Sequence, residues 1–231
     1  INSSSNILMI KNAVNNVIIP EITKILNNLS NKHIKWIDIP LLAMTHGQPA
    51  SPTFVGKEFM VFHNRICNQL KKLTNLEYYT KFGGAVGNLN AHYFALPDIN
   101  WIKFADNFIN SLELRRNNLT TQIDNYDNYS EVFDIIKRIN VILIDLCQDI
   151  WLYISNNYFK LHKENDTQVG SSTMPQKINP IDFENAEGNL KLANSGFHFF
   201  IDKLQVSRLQ RDLTDSTILR SVGTYLAYSL I

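Results

Sequence analysis

The chain has 231 residues, of which 45% are hydrophobic and 19% charged, so it can bury a core and is not a disordered tail. Lysine and arginine number 22 against 21 aspartates and glutamates, and the net charge of +1 argues against a nucleic-acid binder with a broad basic surface. The two cysteines, Cys67 and Cys147, are too few for a disulfide scaffold and indicate a reducing, cytoplasmic compartment. The longest apolar run, 141–154, is interrupted by Asp145 and Asp149, so no membrane span is predicted.

Both ends of the sequence lie within helical patterns. The first residue is Ile1 and not methionine, and the pattern over 223–231 stops without a helix-ending signal. We therefore expect the chain to be an internal piece of a longer polypeptide.

The first predicted element is a helix that reaches about Leu29. Pro20 lies within it and predicts a kink or an end of the helix, because proline lacks the backbone N–H that a helix interior needs. Beyond this helix, a short extended segment is expected at 33–39, in a sequence otherwise without strong strand alternation. The apolar stripe of the helix consists of Ile7, Ile10, Val14, Val17, Ile18, Ile25 and Leu29.

Two more helices are predicted before the middle of the chain. One covers about 53–79. The next follows Asp98, whose side chain is expected to cap it. Their inward-facing residues are Phe59, Phe62, Ile66, Leu70 and Leu73 in the first, and Ile102, Phe108, Ile109 and Leu112 in the second.

Three further helices are predicted in the second half. Residues 129 to about 159 are apolar on more than one side, which is typical of a helix in the middle of a bundle or between subunits. Asn179 followed by Pro180 indicates a capped start of a helix that reaches about Leu204. A last helix begins near Thr214 and continues to the end of the sequence.

The length of these helices favours assembly. A helix of about 27 residues spans roughly 40 Å, which is more than a globule of this size usually needs. Such rods bury their apolar stripes best against copies of themselves. The sequence therefore predicts an all-α fold, a bundle of long helices in an oligomer, and a monomeric helical bundle is the alternative.

A first polar segment, 45–53, interrupts the helical pattern and begins Thr-His-Gly-Gln-Pro. A histidine beside glycine and proline lies on a stiff turn that holds its ring in one orientation. With an ordinary pKa of about 6.5, the imidazole of His46 can donate or accept a proton near neutral pH. The alternative is a histidine hydrogen-bonded to backbone at a helix entrance.

A second polar segment, 170–180, reads Gly-Ser-Ser-Thr-Met-Pro-Gln-Lys-Ile-Asn-Pro and leads into a helix start. Backbone N–H groups and a partial positive charge gather at such an end and favour a bound carboxylate or phosphate. Lys177 adds a full positive charge and Asn179 an amide donor, so the loop can stabilise developing negative charge. The alternative is a serine-rich linker before a routine helix cap.

A third polar segment, 208–220, contains three arginines. Arg211 and Arg220 offer fork-shaped donors to a phosphate, with the Ser216 hydroxyl beside them. Arg–Asp pairs on a solvated helix face explain the same residues, and composition alone favours this alternative.

Other kinds of site have little support. The sequence contains no phosphate-loop motif, and the glycine-rich segment 83–88 is a weak dinucleotide signal because it follows no predicted strand. The histidines are scattered without the spacing of a structural zinc site. The Gly-x-Ser-x-Gly motif of α/β-hydrolases is absent.

Segment 170–180, in the pattern Gly-Ser-Ser-x-Met-Pro-x-Lys-x-Asn-Pro, resembles the signature of the fumarase/aspartase superfamily, and this string is highly specific. Within the superfamily, three further parts of the sequence resemble the bacterial-type adenylosuccinate lyases, and the similarity extends over essentially the whole chain. These parts are 45–50 with 56–58, 84–92 and 207–216.

The resemblance implies that 1–231 is the central helical domain of the fumarase/aspartase fold, without its N-terminal and C-terminal domains. It implies a homotetramer whose long helices form a multi-helix core. Each active site then draws on three chains, so that His46 and Ser171 meet across subunits. The implied partner is a small-molecule substrate, with no metal, no organic cofactor, no nucleic acid and no membrane.

The resemblance also assigns catalytic roles. Ser171 matches the general base that removes a proton from the succinyl carbon, and Lys177 and Asn179 match the groups that stabilise the carbanion. His46 matches the general acid that protonates the departing nitrogen, and Glu184 matches the carboxylate paired with it. Substrate contacts are implied for Thr45, Asn90, Gln122, Ser172, Met174 and Asn179, and contacts near a nucleotide phosphate for Arg211, Ser216 and Arg220.

The implied activity is β-elimination in purine nucleotide biosynthesis. Adenylosuccinate is cleaved to AMP and fumarate, and the succinylated imidazole-carboxamide ribotide SAICAR to AICAR and fumarate. The alternatives are another fumarate-releasing lyase, such as an argininosuccinate lyase, and a structural relative without activity, as in lens crystallins.

Overall fold

The computed structural model describes residues 2–161, 174 and 177–231. Helices form most of this part of the chain, which confirms the predicted helical framework, and two small two-stranded sheets are added to it. The helices are α1 (Asn2–Ala13), α2 (Ile19–Lys35), α3 (Val55–Thr74), α4 (Asn90–Ala95), α5 (Trp101–Ser111), α6 (Asp127–Ser155), α7 (Ile181–Leu204), α8 (Thr214–Leu219) and α9 (Val222–Leu230). The strands are β1 (Pro40–Thr45), β2 (Gln48–Phe54), β3 (Tyr79–Lys81) and β4 (Arg115–Asn117).

The chain stays helical through Pro20, so the helix does not end there. Between α1 and α2, residues Val14–Ile18 form a π turn, and the N–H of Ile19 donates to the carbonyl of Val14. Proline cannot donate such a bond. The wider π turn takes up the distortion just before Pro20, and the helix continues on the other side.

The bounds of α3 and α5 differ from the predicted ones. Helix α3 is shorter than 53–79, because residues 53 and 54 belong to β2 and the helix ends at Thr74, before β3 begins at Tyr79. The cap of α5 is Asn100, whose side chain accepts a hydrogen bond from the Lys103 N–H at 2.9 Å. The predicted cap, Asp98, lies too early in the chain to reach the first turn of this helix.

Two predictions for the later helices are also wrong. Pro180 and not Asn179 is the cap residue of α7. The predicted last helix is divided into α8 and α9, because the chain turns at Arg220 and Ser221. The Ser221 hydroxyl donates to the carbonyl of Ile218 at 2.8 Å, which satisfies an acceptor at the end of α8.

The antiparallel β1–β2 hairpin replaces the extended segment predicted at 33–39. That prediction is wrong because α2 continues to Lys35 and the first strand begins only at Pro40. The second strand contains Pro49 and Pro52, and prolines hide a strand pattern because they cannot donate to a ladder.

Strands β3 and β4 pair in parallel, with Tyr79 opposite Arg115. A short strand therefore does precede the glycine-rich segment 83–88, contrary to the prediction. Three-residue strands carry too little alternation to be recognised from sequence.

Helix α6 lies at the centre of the packing and contacts both α3 and α7. It has 29 residues and spans about 44 Å. Phe133 stacks on Phe197 with ring centroids 5.5 Å apart and contacts Phe200 at 5.3 Å, and all three rings are buried. This arrangement confirms the predicted central position of the helix that is apolar on several sides.

Within the described ranges, no helix is long and apolar enough to cross a membrane. The same residues contain no group of three or more histidine, cysteine, aspartate or glutamate side chains placed to hold a metal ion.

Candidate active site

His46 and Gly47 form the tip of the β1–β2 hairpin. The strand residues on either side, Thr45 and Gln48, are paired. The φ angles are 54° at His46 and 70° at Gly47, and two positive values in succession are typical of the type I′ turn that joins two-residue hairpins. The structure thus confirms a turn at His46, and the predicted orientation of its ring stays a prediction. Thr45 and His46 are exposed at this tip.

A different histidine has the structural role that was the alternative for His46. The ring Nδ1 of His33, near the end of α2, lies 3.0 Å from the carbonyl oxygen of Gly56 at the start of α3. His33 therefore secures a helix entrance, and the imidazole of His46 is left accessible.

The start of α7 carries three predicted site residues. Lys177 and Asn179 lie exposed just before the helix, and Glu184 lies in its first turn. The Oε1 atom of Glu184 accepts a hydrogen bond from Trp151 Nε1 at 3.0 Å. Within one chain, Glu184 thus contacts a tryptophan of α6, and its pairing with His46 stays a prediction.

In the loop before α7, the described residues are Met174 and 177–180. Ser171 and Ser172 lie outside the described residues. Met174 is exposed, and its carbonyl accepts a hydrogen bond from the Lys177 N–H at 3.4 Å. The roles of all three site residues stay predictions.

Arg211, just before α8, contacts Ser216 in the first turn of that helix. Nη2 of Arg211 donates to Oγ of Ser216 at 3.2 Å, and its Nε is buried without a hydrogen-bond partner among the described residues. Arg220 is exposed at the end of α8. Arg208 instead pairs with Asp212 at 2.9 Å on the surface, so the alternative of a solvated Arg–Asp pair applies to Arg208. Arg211 has the donor arrangement that suits an anionic ligand.

A buried hydrogen bond lies beside this contact. The Tyr126 hydroxyl donates to Oδ2 of Asp215 at 2.8 Å, and Asp215 is only 7% exposed. Burial, followed by the hydrogen bond to this carboxylate, raises the pKa of Tyr126, so the hydroxyl stays protonated and donates. Because Asp215 precedes Ser216, this bond fixes the start of α8.

Gln122 lies next to the Arg211 segment. Its backbone N–H donates to the carbonyl of Gln210 at 3.2 Å. The glycine-rich segment packs against the same region, where a Cβ at Gly87 would lie 1.9 Å from the carbonyl oxygen of Thr120. Only glycine permits this approach. Asn90 follows at the start of α4 and is exposed.

Lys81 and Asp124 belong to this region and were not recognised from the sequence. The Nζ atom of Lys81 donates to the carbonyls of Gly84, at 2.6 Å, and Gln122. Burial lowers the pKa of Lys81, the carboxylate of Asp124 opposes this shift, and the positive charge of Arg211 adds to it. The available signal was the position of Lys81 just before the glycine-rich segment.

Most of the predicted site residues that the structure describes thus occupy three places in one chain. The hairpin tip carries His46, the start of α7 carries Lys177 and Glu184, and a third group surrounds Arg211. Among the described residues, no hydrogen bond joins the hairpin tip to either of the other two places. We refer to the third group as the arginine cluster, which consists of Lys81, Gln122, Asp124, Tyr126, Arg211, Asp215 and Ser216.

Comparison with known proteins identifies the class of protein. A family profile described as lyase matches residues 2–193, and the chain belongs to this lyase family. The assignment confirms the resemblance that the sequence motifs carry.

Comparison with individual proteins gives a more specific relationship than the family profile. Over its full length, the chain is 52% identical to the adenylosuccinate lyase of Dictyostelium discoideum, 46% to that of Escherichia coli (strain K12) and 48% to that of Haemophilus influenzae. Each alignment covers 100% of this chain and 50% of the relative. The chain spans about half the length of the curated relatives it matches.

Proposed function

We propose that this protein is a lyase that cleaves adenylosuccinate to AMP and fumarate, and SAICAR to AICAR and fumarate. The observation that carries the proposal is the arginine cluster, in which Arg211, Ser216 and the Gln122 segment lie together in a chain related over its whole length to adenylosuccinate lyases. A guanidinium with an unbonded buried nitrogen beside a hydroxyl suits a phosphate or carboxylate ligand.

In the proposed reaction, Ser171 acts in its deprotonated alkoxide form and removes a proton from the succinyl carbon adjacent to the carbon that carries nitrogen. The electron pair delocalises into the neighbouring carboxylate, where Lys177 and Asn179 stabilise the negative charge. The carbon–nitrogen bond then breaks, a carbon–carbon double bond forms, and fumarate leaves. His46 gives a proton to the departing nitrogen, and Glu184 holds the imidazole in orientation. The substrate's own carboxylate acidifies the proton that is removed.

Substrate binding is divided among the three places. Arg211, Ser216 and Arg220 bind the nucleotide phosphate. The remaining proposed contacts are Thr45, Asn90, Gln122, Ser172, Met174 and Asn179.

The site is proposed to be completed by assembly into a homotetramer, with residues 1–231 as the central helical domain of each subunit. Support comes from two observations: among the described residues, no hydrogen bond joins the hairpin tip to the other two places, and large apolar side chains lie on the outside of one chain. Phe94 is 92% exposed and Leu209 is 95% exposed. Side chains of this kind are usually covered by a partner. The proposed location is the cytoplasm, in keeping with the low cysteine content.

An assay of the full-length protein tests the function. Purified protein supplied with adenylosuccinate should release AMP and fumarate in equal amounts, and argininosuccinate should not be cleaved. Cleavage of argininosuccinate in place of adenylosuccinate would identify the protein as an argininosuccinate lyase. Cleavage of neither substrate by a correctly assembled protein would favour a structural relative without activity.

A further inference from the structure

The ammonium group of Lys81 connects two irregular segments of the chain. Lys81 ends β3, and its Nζ atom donates to the carbonyl of Gly84 and to that of Gln122, which lies 41 residues further along. Both acceptors lie outside the helices and strands, where a carbonyl has no regular backbone partner. The partly buried ammonium group of Lys81 therefore donates to two carbonyls that no helix or strand hydrogen bond would satisfy.

The two segments are also in direct backbone contact. Gly87 has a φ of 87°, and a Cβ there would lie 1.9 Å from the carbonyl oxygen of Thr120. This contact joins backbone to backbone. Lys81 donates a hydrogen bond to each of the two segments that meet here.

The connection extends to Arg211. The N–H of Gln122 donates to the carbonyl of Gln210 at 3.2 Å, and Arg211 is the next residue. Arg211 lies close enough to Lys81 for its charge to lower the lysine pKa, and Asp124 offsets this repulsion. The position of Gln122 relative to the guanidinium is thus set by a continuous set of hydrogen bonds that begins at Lys81.

We propose that Lys81 is a positioning residue, which sets the separation between Gln122 and Arg211 by holding the carbonyls of Gly84 and Gln122. The inference rests on the proposed function, because it concerns two of the proposed substrate contacts. Lys81 does not touch the reacting atoms. Its loss weakens substrate binding more than the chemical step, since the proposed acid and base lie on other segments.

The test uses the full-length protein with Lys81→Met, which keeps most of the side-chain volume and removes the donors. We expect KM for adenylosuccinate and Kd for AMP to rise about tenfold or more, with a smaller change in kcat, because charged hydrogen bonds to two acceptors are lost. Lys81→Arg, which can donate to both carbonyls, should recover part of the loss. Amide hydrogen exchange should accelerate in 83–88 and 118–123 only.

The matched control is Lys11→Met. Lys11 also bridges distant segments, since its Nζ donates to the carbonyl of Glu113 at 2.9 Å and to its carboxylate at 3.0 Å, but it is no part of the arginine cluster. Its KM and Kd should stay within about twofold of the wild type. If Lys81→Met does not fold, Lys81→Gln replaces it, because this shorter polar side chain cannot reach both carbonyls.

The outcomes separate the inference from the proposed function. Unchanged KM and Kd in the Lys81 variant, or a loss of stability and kcat alone with exchange faster everywhere, would overturn the positioning role. A wild-type protein that cleaves no adenylosuccinate overturns the proposed function. In that case, the positioning role of Lys81 is tested by comparing AMP binding to the wild type and to Lys81→Met. Weaker AMP binding in Lys81→Met supports it, and unchanged or absent AMP binding in wild type and variant alike overturns it.

Discussion

At the hairpin tip, a single histidine adopts a backbone conformation that usually favours asparagine or glycine. His46 has a φ of 54°, and Gly47 follows with 70°. Since asparagine suits this turn at least as well, His46→Asn removes the imidazole and preserves the hairpin. In the full-length protein, we expect turnover to fall about 10²–10⁴-fold, the usual contribution of a general acid, with little change in the melting temperature.

The control for this variant is His198→Asn, on the exposed face of α7. This variant should turn over adenylosuccinate at the wild-type rate. Normal activity of His46→Asn would remove the proposed role of this residue, whereas a lower melting temperature would assign it to the hairpin instead.

A hydroxyl bonded to a buried carboxylate should contribute more to stability than one bonded to a backbone carbonyl. Tyr126 donates to Asp215 at 2.8 Å, and Tyr129 donates to the Ser3 carbonyl at 3.2 Å. We expect Tyr126→Phe to lower the free energy of unfolding by about 1.5–3 kcal/mol and Tyr129→Phe by about 0.5–1.5 kcal/mol. Urea unfolding at equal protein concentration measures both, and the reverse order would contradict the geometry.

Asp124 makes stability depend on pH. Burial raises its pKa above the ordinary 3.8, against the hydrogen bonds from the Asn117 side chain and the Asn125 N–H. A carboxyl whose folded pKa is raised stabilises the fold fully below pH 3.8, and this contribution is lost as the pH rises through the folded value. The unfolding free energy of wild type minus that of Asp124→Asn should therefore decrease as the pH is raised from about 4 to 7.

Glu77 provides the opposite case. Its pKa is lowered by hydrogen bonds from Tyr79 and Arg115, so its contribution is present above the ordinary 4.5 and is lost as the pH falls. The same difference measured for Glu77→Gln should therefore change in the other direction. If the two free-energy differences changed with pH in the same direction, one of the two predictions would be contradicted.

At the level of elements, the crossing of α7 and α9 depends on a glycine. A Cβ at Gly196 would lie 2.1 Å from the Tyr225 ring, so the ring packs directly on the α7 backbone. Gly196→Ala forces the ring to move and should lower the free energy of unfolding by about 1–3 kcal/mol, the usual cost of overpacking. The measurement is chemical or thermal unfolding of the full-length protein.

The same helix contains the matched control. A Cβ at Gly188 would meet nothing within 4 Å in this chain. Gly188→Ala should be neutral or stabilise by about 0.5–1 kcal/mol, since alanine loses less backbone entropy in a helix. Equal losses for the two variants would indicate a general intolerance of alanine in α7.

At the scale of the whole molecule, the proposed sharing of active sites between subunits makes a prediction about assembly. If His46 and Ser171 reach one site from different subunits, Ser171→Ala and His46→Ala proteins are each inactive but form some complete sites when dissociated and reassembled together. Random mixing in equal amounts should restore about a quarter of the wild-type activity. The double variant reassembled with itself is the control, and failure of the mixed sample to regain activity would argue for sites within single subunits.

The sequence by itself determined the helical framework, because the apolar stripes are local and repeat with the period of a helix. It also determined the family, because the segment 170–180 is a contiguous string. The central position of α6 followed from its several apolar sides. The expectation of an anion site at Arg211 and Ser216 came from the family resemblance, because composition alone favoured an Arg–Asp pair on a solvated helix face.

Only the tertiary structure decided the features that depend on distant residues. Two local features also needed the structure, namely the choice of Asn100 over Asp98 as a cap and the π turn before Pro20, because neighbouring residues could form similar hydrogen bonds. Lys81 meets Gln122 and lies near Arg211 because a three-residue parallel sheet and a backbone contact at Gly87 bring their segments together. Such contacts join segments far apart in the chain, and no local periodicity records them, so they emerge only when the whole chain has packed.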